Sequence, residues 1–248
     1  MKTSRINLLL VFILVLASLA CLQTTPVDGG SAASVSTATI PPTGTETPTP
    51  LQRPTPTPNL VATGEYNEMA SLVQSYYDDG YIDTTEGKFY RLDNYDDSWA
   101  QMDWFSMTSV GRDGKDFVMR ADMKWESATK TPNPSGCGFV FRIDREGGAY
   151  LVFLTTLGDM FAGVITDFFE TLALEPYGPA QANGNANLTV IVQGKDIHVL
   201  VDDVLIKSLK TSPSKLPGDG LGYMLVSGTN KDFGTHCEFT HGLLWVIK

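Results

Sequence analysis

The oxygen-bearing side chains Asp93, Asn94, Asp96 and Asp97 fall within one short stretch, the kind of ligand set a calcium ion takes. Their spacing fits no strong calcium signature, and an Asx-rich turn uses the same residues. Arg142 sits opposite in phase to Phe139, Phe141 and Ile143. If those three face a core, its planar guanidinium points out of the sheet, free for vicinal hydroxyls, a carboxylate or a cross-strand ion pair. Trp99, Trp104 and Tyr150 are the aromatic residues on which a sugar ring would stack, or else the filling of a core. A pair of carboxyl groups acting as acid and base would have to assemble from different strands and loops, with Glu126, Asp144 and Glu146 the nearest candidates. His198, His236 and His241 lack zinc spacing; Gly218, Gly220 and Gly222 precede a strand rather than a helix, which removes the phosphate-loop reading; no Gly-x-Ser-x-Gly elbow occurs.

The elements that must position these residues are strands. Phe117, Met119, Ala121, Met123 and Trp125 alternate with mostly polar neighbours from Asp116 to Glu126, a period of two that predicts a strand with one buried face. Gly136 to Ile143 and Ala149 to Leu154 follow as two more, joined by the turn residues Asp144 to Gly148. Lys88–Leu92, Trp99–Met107 and Asp159–Ile165 read as strands, with Asp93–Ser98 as a loop and Thr166–Asn187 as a long Pro/Gly/Asn-rich one. Leu188–Val192 and Ile197–Val201 flank Gln193-Gly194-Lys195-Asp196 as a hairpin, and Asp202-Asp203 is a tight turn into Val204–Ile206 rather than a catalytic dyad. Leu221–Ser227 and His236–Ile247 close the set. About ten strands without βαβ alternation predict an all-β, two-sheet antiparallel sandwich. Ahead of it, Tyr66, Met69, Leu72, Val73, Tyr76 and Tyr77 recur at helical spacing before Gly80, a short amphipathic helix that packs on the sandwich or binds a partner.

The first twenty residues read as a signal peptide: basic Lys2 and Arg5, an apolar run Ile6–Leu16 too short to span a bilayer, and small residues before Cys21. Cys21 then stands where a bacterial lipobox places its lipidated cysteine, although Ser18-Leu19-Ala20 also suits an ordinary secretion site. Residues 21–60 hold eight of the fourteen prolines, many in Thr-Pro alternation, and so form a stalk rather than a core. The division expected is signal 1–20, lipidated Cys21 and stalk 21–60, and sandwich 61–248, outward-facing and touching the membrane only through its anchor. Loss of Lys2 and Arg5, with no acid in residues 1–20, takes the formal charge from −10 to −12. That repels nucleic acid. With Cys21 lipidated, Cys137 and Cys237 remain as a pair in an oxidising compartment: a disulfide, or two buried thiols.

Taken together, Phe117–Glu126, Gly138-Phe139-Val140-Phe141-Arg142, Tyr150-Leu151-Val152-Phe153, Leu188–Val192 with Ile197–Asp203, Gly220-Leu221-Gly222-Tyr223 and Phe239–Ile247 resemble the concanavalin A-like lectin/glucanase jelly roll, within it the laminin-G-like and 3-keto-disaccharide hydrolase domains. The resemblance spans roughly residues 85–248. It implies a curved sandwich whose concave face or rim binds sugars or proteins, sometimes with calcium, with Arg142 and Tyr150 on strands lining that face. The glucanase Glu-x-Asp-x-x-Glu run is missing. The function expected is therefore a non-catalytic binding module for a glycan or a cell-surface protein, without a cofactor unless calcium is bound; a glycoside hydrolase and a structural envelope protein are the alternatives.

Overall fold

The computed structural model describes residues 60–166, 169–211 and 216–248; the signal segment, Cys21 and the stalk lie outside them. Among the described residues, helix α1 (Leu60–Asp78) is followed by thirteen strands: β1 (Gly87–Arg91), β2 (Tyr95–Trp99), β3 (Trp104–Asp113), β4 (Phe117–Ser127), β5 (Gly136–Ile143), β6 (Ala149–Thr155), β7 (Asp159–Ile165), β8 (Phe169–Pro176), β9 (Asn183–Gln193), β10 (Asp196–Val201), β11 (Val204–Lys210), β12 (Gly220–Ser227) and β13 (Thr235–Ile247). They form an antiparallel jelly-roll sandwich. One sheet runs β1-β13-β4-β9-β10-β11 with β2 also on β13, and the other runs β3-β12-β5-β6-β7-β8.

Two loops expected from composition are strands. Within Asp93–Ser98, expected as a loop, a strand begins: Tyr95–Trp99 pairs with Phe239–Thr235 of β13, because Tyr95 and Trp99 pack inward while Asp96 and Ser98 face solvent. The Trp99–Met107 strand is accordingly split by a turn at 100–103. Within the expected Thr166–Asn187 loop lie β8 and the first half of β9, where Asn183, Asn185 and Asn187 alternate with Gly184 and Ala186. Gly184 is the reason a loop-like composition forms a strand: a Cβ there would overlap the Trp125 ring across the ladder.

The inward residues of β4 (Phe117, Met119, Ala121, Met123, Trp125) interleave with Phe139, Phe141, Tyr150, Val152, Leu154, Tyr223 and Phe239 in one core. Cys137 of β5 and Cys237 of β13 form a disulfide across it, Cα–Cα 5.9 Å, joining the two sheets. Asp202 and Asp203 both take positive φ (49° and 64°), the two-residue hairpin geometry expected of them. Burial and Asp97 push the Tyr95 phenol up to about 12, burial with Asp159 and Asp202 does the same for Tyr177, and burial also raises Tyr223. The unfolded chain, with ordinary tyrosines near ~10, gives up these protons first, so stability is complete below that pH and falls as pH rises toward 12. An alkaline titration is expected to show some phenolate absorbance before unfolding and the remainder together with it.

Helix α1 lies on the outer face of the first sheet. Met69, Val73 and Tyr76, one turn or two apart, bury against Val118, Ile191, Leu200, Leu243, Trp245 and Ile247. It stops where Gly80 takes φ 75° and Tyr81 N–H donates to the Tyr76 carbonyl at 2.9 Å, a Schellman closure.

Candidate functional site

Only part of that outer face lies under α1. Along β4 the outward residues are Val118, then Arg120, then Asp122, Lys124 and Glu126; along β9 they are Ile191, then Thr189, then Asn187, Asn185 and Asn183. In β13 the change is made by a bulge between Thr240 and Leu243, with His241 at φ 50°. Before it His236, Glu238 and Thr240 face outward; after it Leu243, Trp245 and Ile247 do. The face therefore divides into an apolar half beneath the helix and a polar half that no described element covers. Arg120, ion-paired with Asp203, stands at the border.

The ladder pairings set the polar half in rows: Ser98, His236, Glu126 and Asn183; Asp96, Glu238, Lys124 and Asn185; Thr240, Asp122 and Asn187. Three of its four acids are tied to neighbours. Lys124 Nζ lies 3.7 Å from Glu238, Asn187 Nδ2 donates to Asp122 at 2.8 Å, and His236 Nε2 meets Asp96 Oδ1 at 2.8 Å. A depression of about 440 Å³ opens over Asp122, Lys124, Asn185, Asn187, Asp202 and Glu238. A second, beside Glu126 and Asn183, is flanked by Lys130 and the exposed Phe233. Such a surface offers carboxylate acceptors, amide groups that both donate and accept, and one aromatic edge. That chemistry suits a neutral, hydroxyl-rich ligand.

The residues singled out from sequence are not brought together. Arg142 does not point from the sheet: it is 3% exposed with φ 51°, and donates to the Gly194 carbonyl and, at 3.3 Å, to Thr211 Oγ1, with Asp116 at 3.9 Å. Burial lowers its pKa despite Asp116. It is a tie between the end of β5 and the β9–β10 turn. Tyr150, 2% exposed, stacks on Phe141 inside the core, because its phase on β6 is inward. Trp99 is half-buried at the core margin, and Trp104, 50% exposed, stacks on Phe105 across the turn from it, in the other sheet.

The Asp93–Asp97 carboxylates diverge, since a strand sends neighbours to opposite faces. Asp96 goes to His236, while Asp97 accepts from Tyr95 Oη and the Ser98 amide. Asn94 is exposed beside them, and no cluster of three or more acid, His or Cys side chains suited to a metal occurs among the described residues. Glu126 likewise cannot meet Asp144 and Glu146. It lies at the Cys137 end of the sandwich, whereas those two follow Ile143 at the far end of β5, about 20 Å away at ~3.3 Å per strand residue. Asp144 there accepts the Glu146 and Gly148 amides and shapes the turn. His198 packs on Tyr81 with centroids 4.8 Å apart, its pKa lowered by burial. His241 reaches Glu68 of α1 at 2.9 Å. The sequence alone does not single out Asp122, Lys124, Asn183, Asn185, Asn187 and Glu238; the period-two alternation of the three asparagines is the signal that marks their shared face.

The fold and this face define a jelly-roll sandwich with an open polar sheet surface. Three solved structures are similar to it. They are the carbohydrate-binding module CBM66 from Bacillus subtilis (TM-score 0.48, 14% identity, 62% of this chain and 92% of that one), a β-fructofuranosidase from Aspergillus kawachii complexed with glycerol (0.45, 13%, 64% and 27%) and the Bacillus licheniformis β-glucanase (0.40, 11%, 56% and 69%). The chain thus spans about a quarter of the Aspergillus enzyme. No family model and no curated protein matches the chain.

Proposed function

We propose that this chain is a non-catalytic, outward-facing binding module of the concanavalin A-like kind that holds a glycan on the uncovered polar half of its first sheet. The observation that carries the reading is the set of rows built from Asp122, Lys124, Asn185, Asn187 and Glu238. Carboxylates already satisfied by lysine, amide and histidine neighbours form a fixed hydrogen-bonding surface for hydroxyls rather than an acid facing a base. Residues 1–20 are its signal, Cys21 its lipid attachment, residues 21–60 its stalk and 61–248 its binding domain.

A glycan array probed with the full chain, with and without calcium, tests the site. Retention of a neutral glycan without breakdown is expected, with Asn185→Ala weakening it about tenfold, the worth of one good hydrogen bond. Turnover that vanishes in Glu126→Gln or Glu238→Gln would replace this reading with a hydrolase. Silence on every sugar would point to a protein ligand or an envelope scaffold. For the anchor, mass analysis of the mature amino terminus is expected to find diacylglycerol on Cys21, and Cys21→Ser is expected to release the protein into the medium.

A further inference from the structure

We infer that the edge strand β3 is a second interaction surface, which takes an extended, neutral peptide segment with basic ends as an added strand of the second sheet. It shares no residue with the polar rows of the first sheet, so it stands or falls apart from the proposed glycan site.

A sheet edge presents unpaired N–H and C=O groups, and natural proteins guard such edges with charges, proline or a covering element. Other edges of this sandwich are guarded in that way. β1 carries Lys88 and Arg91, and its Phe89 packs against the helix cluster; β2 carries Asp96 and Asp97. β8 carries Glu170 and Glu175 and ends at Pro176, and Glu175 is ion-paired with Lys207 of the edge strand β11. Among the described edges β3 is the exception. From Trp104 to Val110 it reads Trp-Phe-Ser-Met-Thr-Ser-Val, without a charge or a proline, and none of these residues is fully buried.

Trp104 to Ser109 pairs in unbroken register with Ser227 to Gly222 of β12, and β3 has no strand on its other side. Among the described residues no backbone group of Trp104–Val110 bonds outside that ladder. In an antiparallel pair alternate residues turn both backbone groups away from the partner strand. The far side of these six residues is therefore an open template about 20 Å long, at ~3.3 Å per residue.

The surroundings state the chemistry of the occupant. A charged residue docked along the neutral stretch would lose water without gaining an ion pair, so the partner is neutral over that length. Acids stand at both ends. Asp103 precedes the strand; after Ser109 the chain bulges at Gly111, φ 67°, and leads to Asp113, which with Asp144, Glu146 and Asp219 lines a depression whose one base is Arg145. Arg112, between them, turns to the Tyr90 ring. Lysine or arginine just outside the neutral stretch meets these acids. At the head of the strand Met102 and Trp104, 53% and 50% exposed, offer an apolar anchor for one partner side chain. A second copy fits less well, because it brings the same net negative charge to the edge.

The test titrates the ¹⁵N-labelled full chain with a blocked peptide of alternating threonine and valine, six residues long as the open edge is, with a lysine added at each end. The backbone amide signals of Trp104–Ser109 are expected to move, and alternate ones to gain protection from hydrogen exchange. A twin ending in glutamate is expected to bind about tenfold more weakly at low salt, and a twin N-methylated throughout its neutral stretch not at all. Asn185→Ala leaves the titration unchanged. Edge signals that the lysine-ended peptide does not move at millimolar concentration, or equal binding of either twin, overturns the proposal. Protection of the same amides without peptide, together with a dimer in sedimentation, would give the edge to a second copy and overturn it equally.

Discussion

Replacing Cys137 and Cys237 together with alanine is expected to lower the free energy of unfolding by about 4 kcal/mol. The bridge closes a loop of 100 residues, for which the chain-entropy model gives roughly 4.7 kcal/mol. Because it joins β5 to β13, it ties the two sheets at one end of the sandwich, where the inter-sheet contact otherwise consists of side-chain packing. Urea unfolding of the double variant, beside the oxidised and reduced parent, measures the effect. A double variant as stable as the oxidised parent would show that the thiols are not bridged in solution.

Arg142→Ala is expected to cost about 2 kcal/mol and to leave glycan retention unchanged. The loss comes from the buried acceptors left without their charged donor, while Asp116, 3.9 Å away and 37% exposed, keeps its water and adds little. Here the Gly194 carbonyl, Thr211 Oγ1 and Asp116 would lose the group that gathers them at the end of β5. Arg142→Lys is expected to recover little, since an ammonium cannot reproduce the guanidinium fork. Denaturation and array binding, run on the same preparation, separate the roles. Lost binding at unaltered stability would return Arg142 to the ligand site.

The sandwich was legible because alternation is a backbone property: the residues of β4 facing inward are the ones whose spacing announced a strand, and all of them are in the core. The helix was legible for the same reason through Met69, Val73 and Tyr76. Phase alone, however, cannot distinguish the outside of a sheet from a buried end. Arg142 has the outward phase of its strand but adopts a positive φ at the strand's last turn, and that single torsion directs its side chain into the structure. Tyr150 lies on a strand buried on both faces, where every residue looks alike from sequence. The polar rows stayed hidden because their members come from β2, β4, β9 and β13, far apart in the chain, and because Asn183-Gly184-Asn185 has the composition of a turn. What makes it a strand is the indole of Trp125, which only the pairing register brings to Gly184.

The bulge at His241 also fixes how the molecule carries load. It lets one strand, β13, hold α1 with one half and the polar rows with the other, so the helix that begins at Leu60 and the proposed glycan surface share a single sheet. A pull entering through the chain ahead of Leu60 and resisted by a held glycan would pass along β13 and its neighbours without crossing the interior between the sheets. The weakest connection on that route is the helix, which is held to the sheet chiefly by side-chain packing and can peel away turn by turn. The strands of the first sheet, and with them the proposed glycan surface, would stay paired while the helix peels.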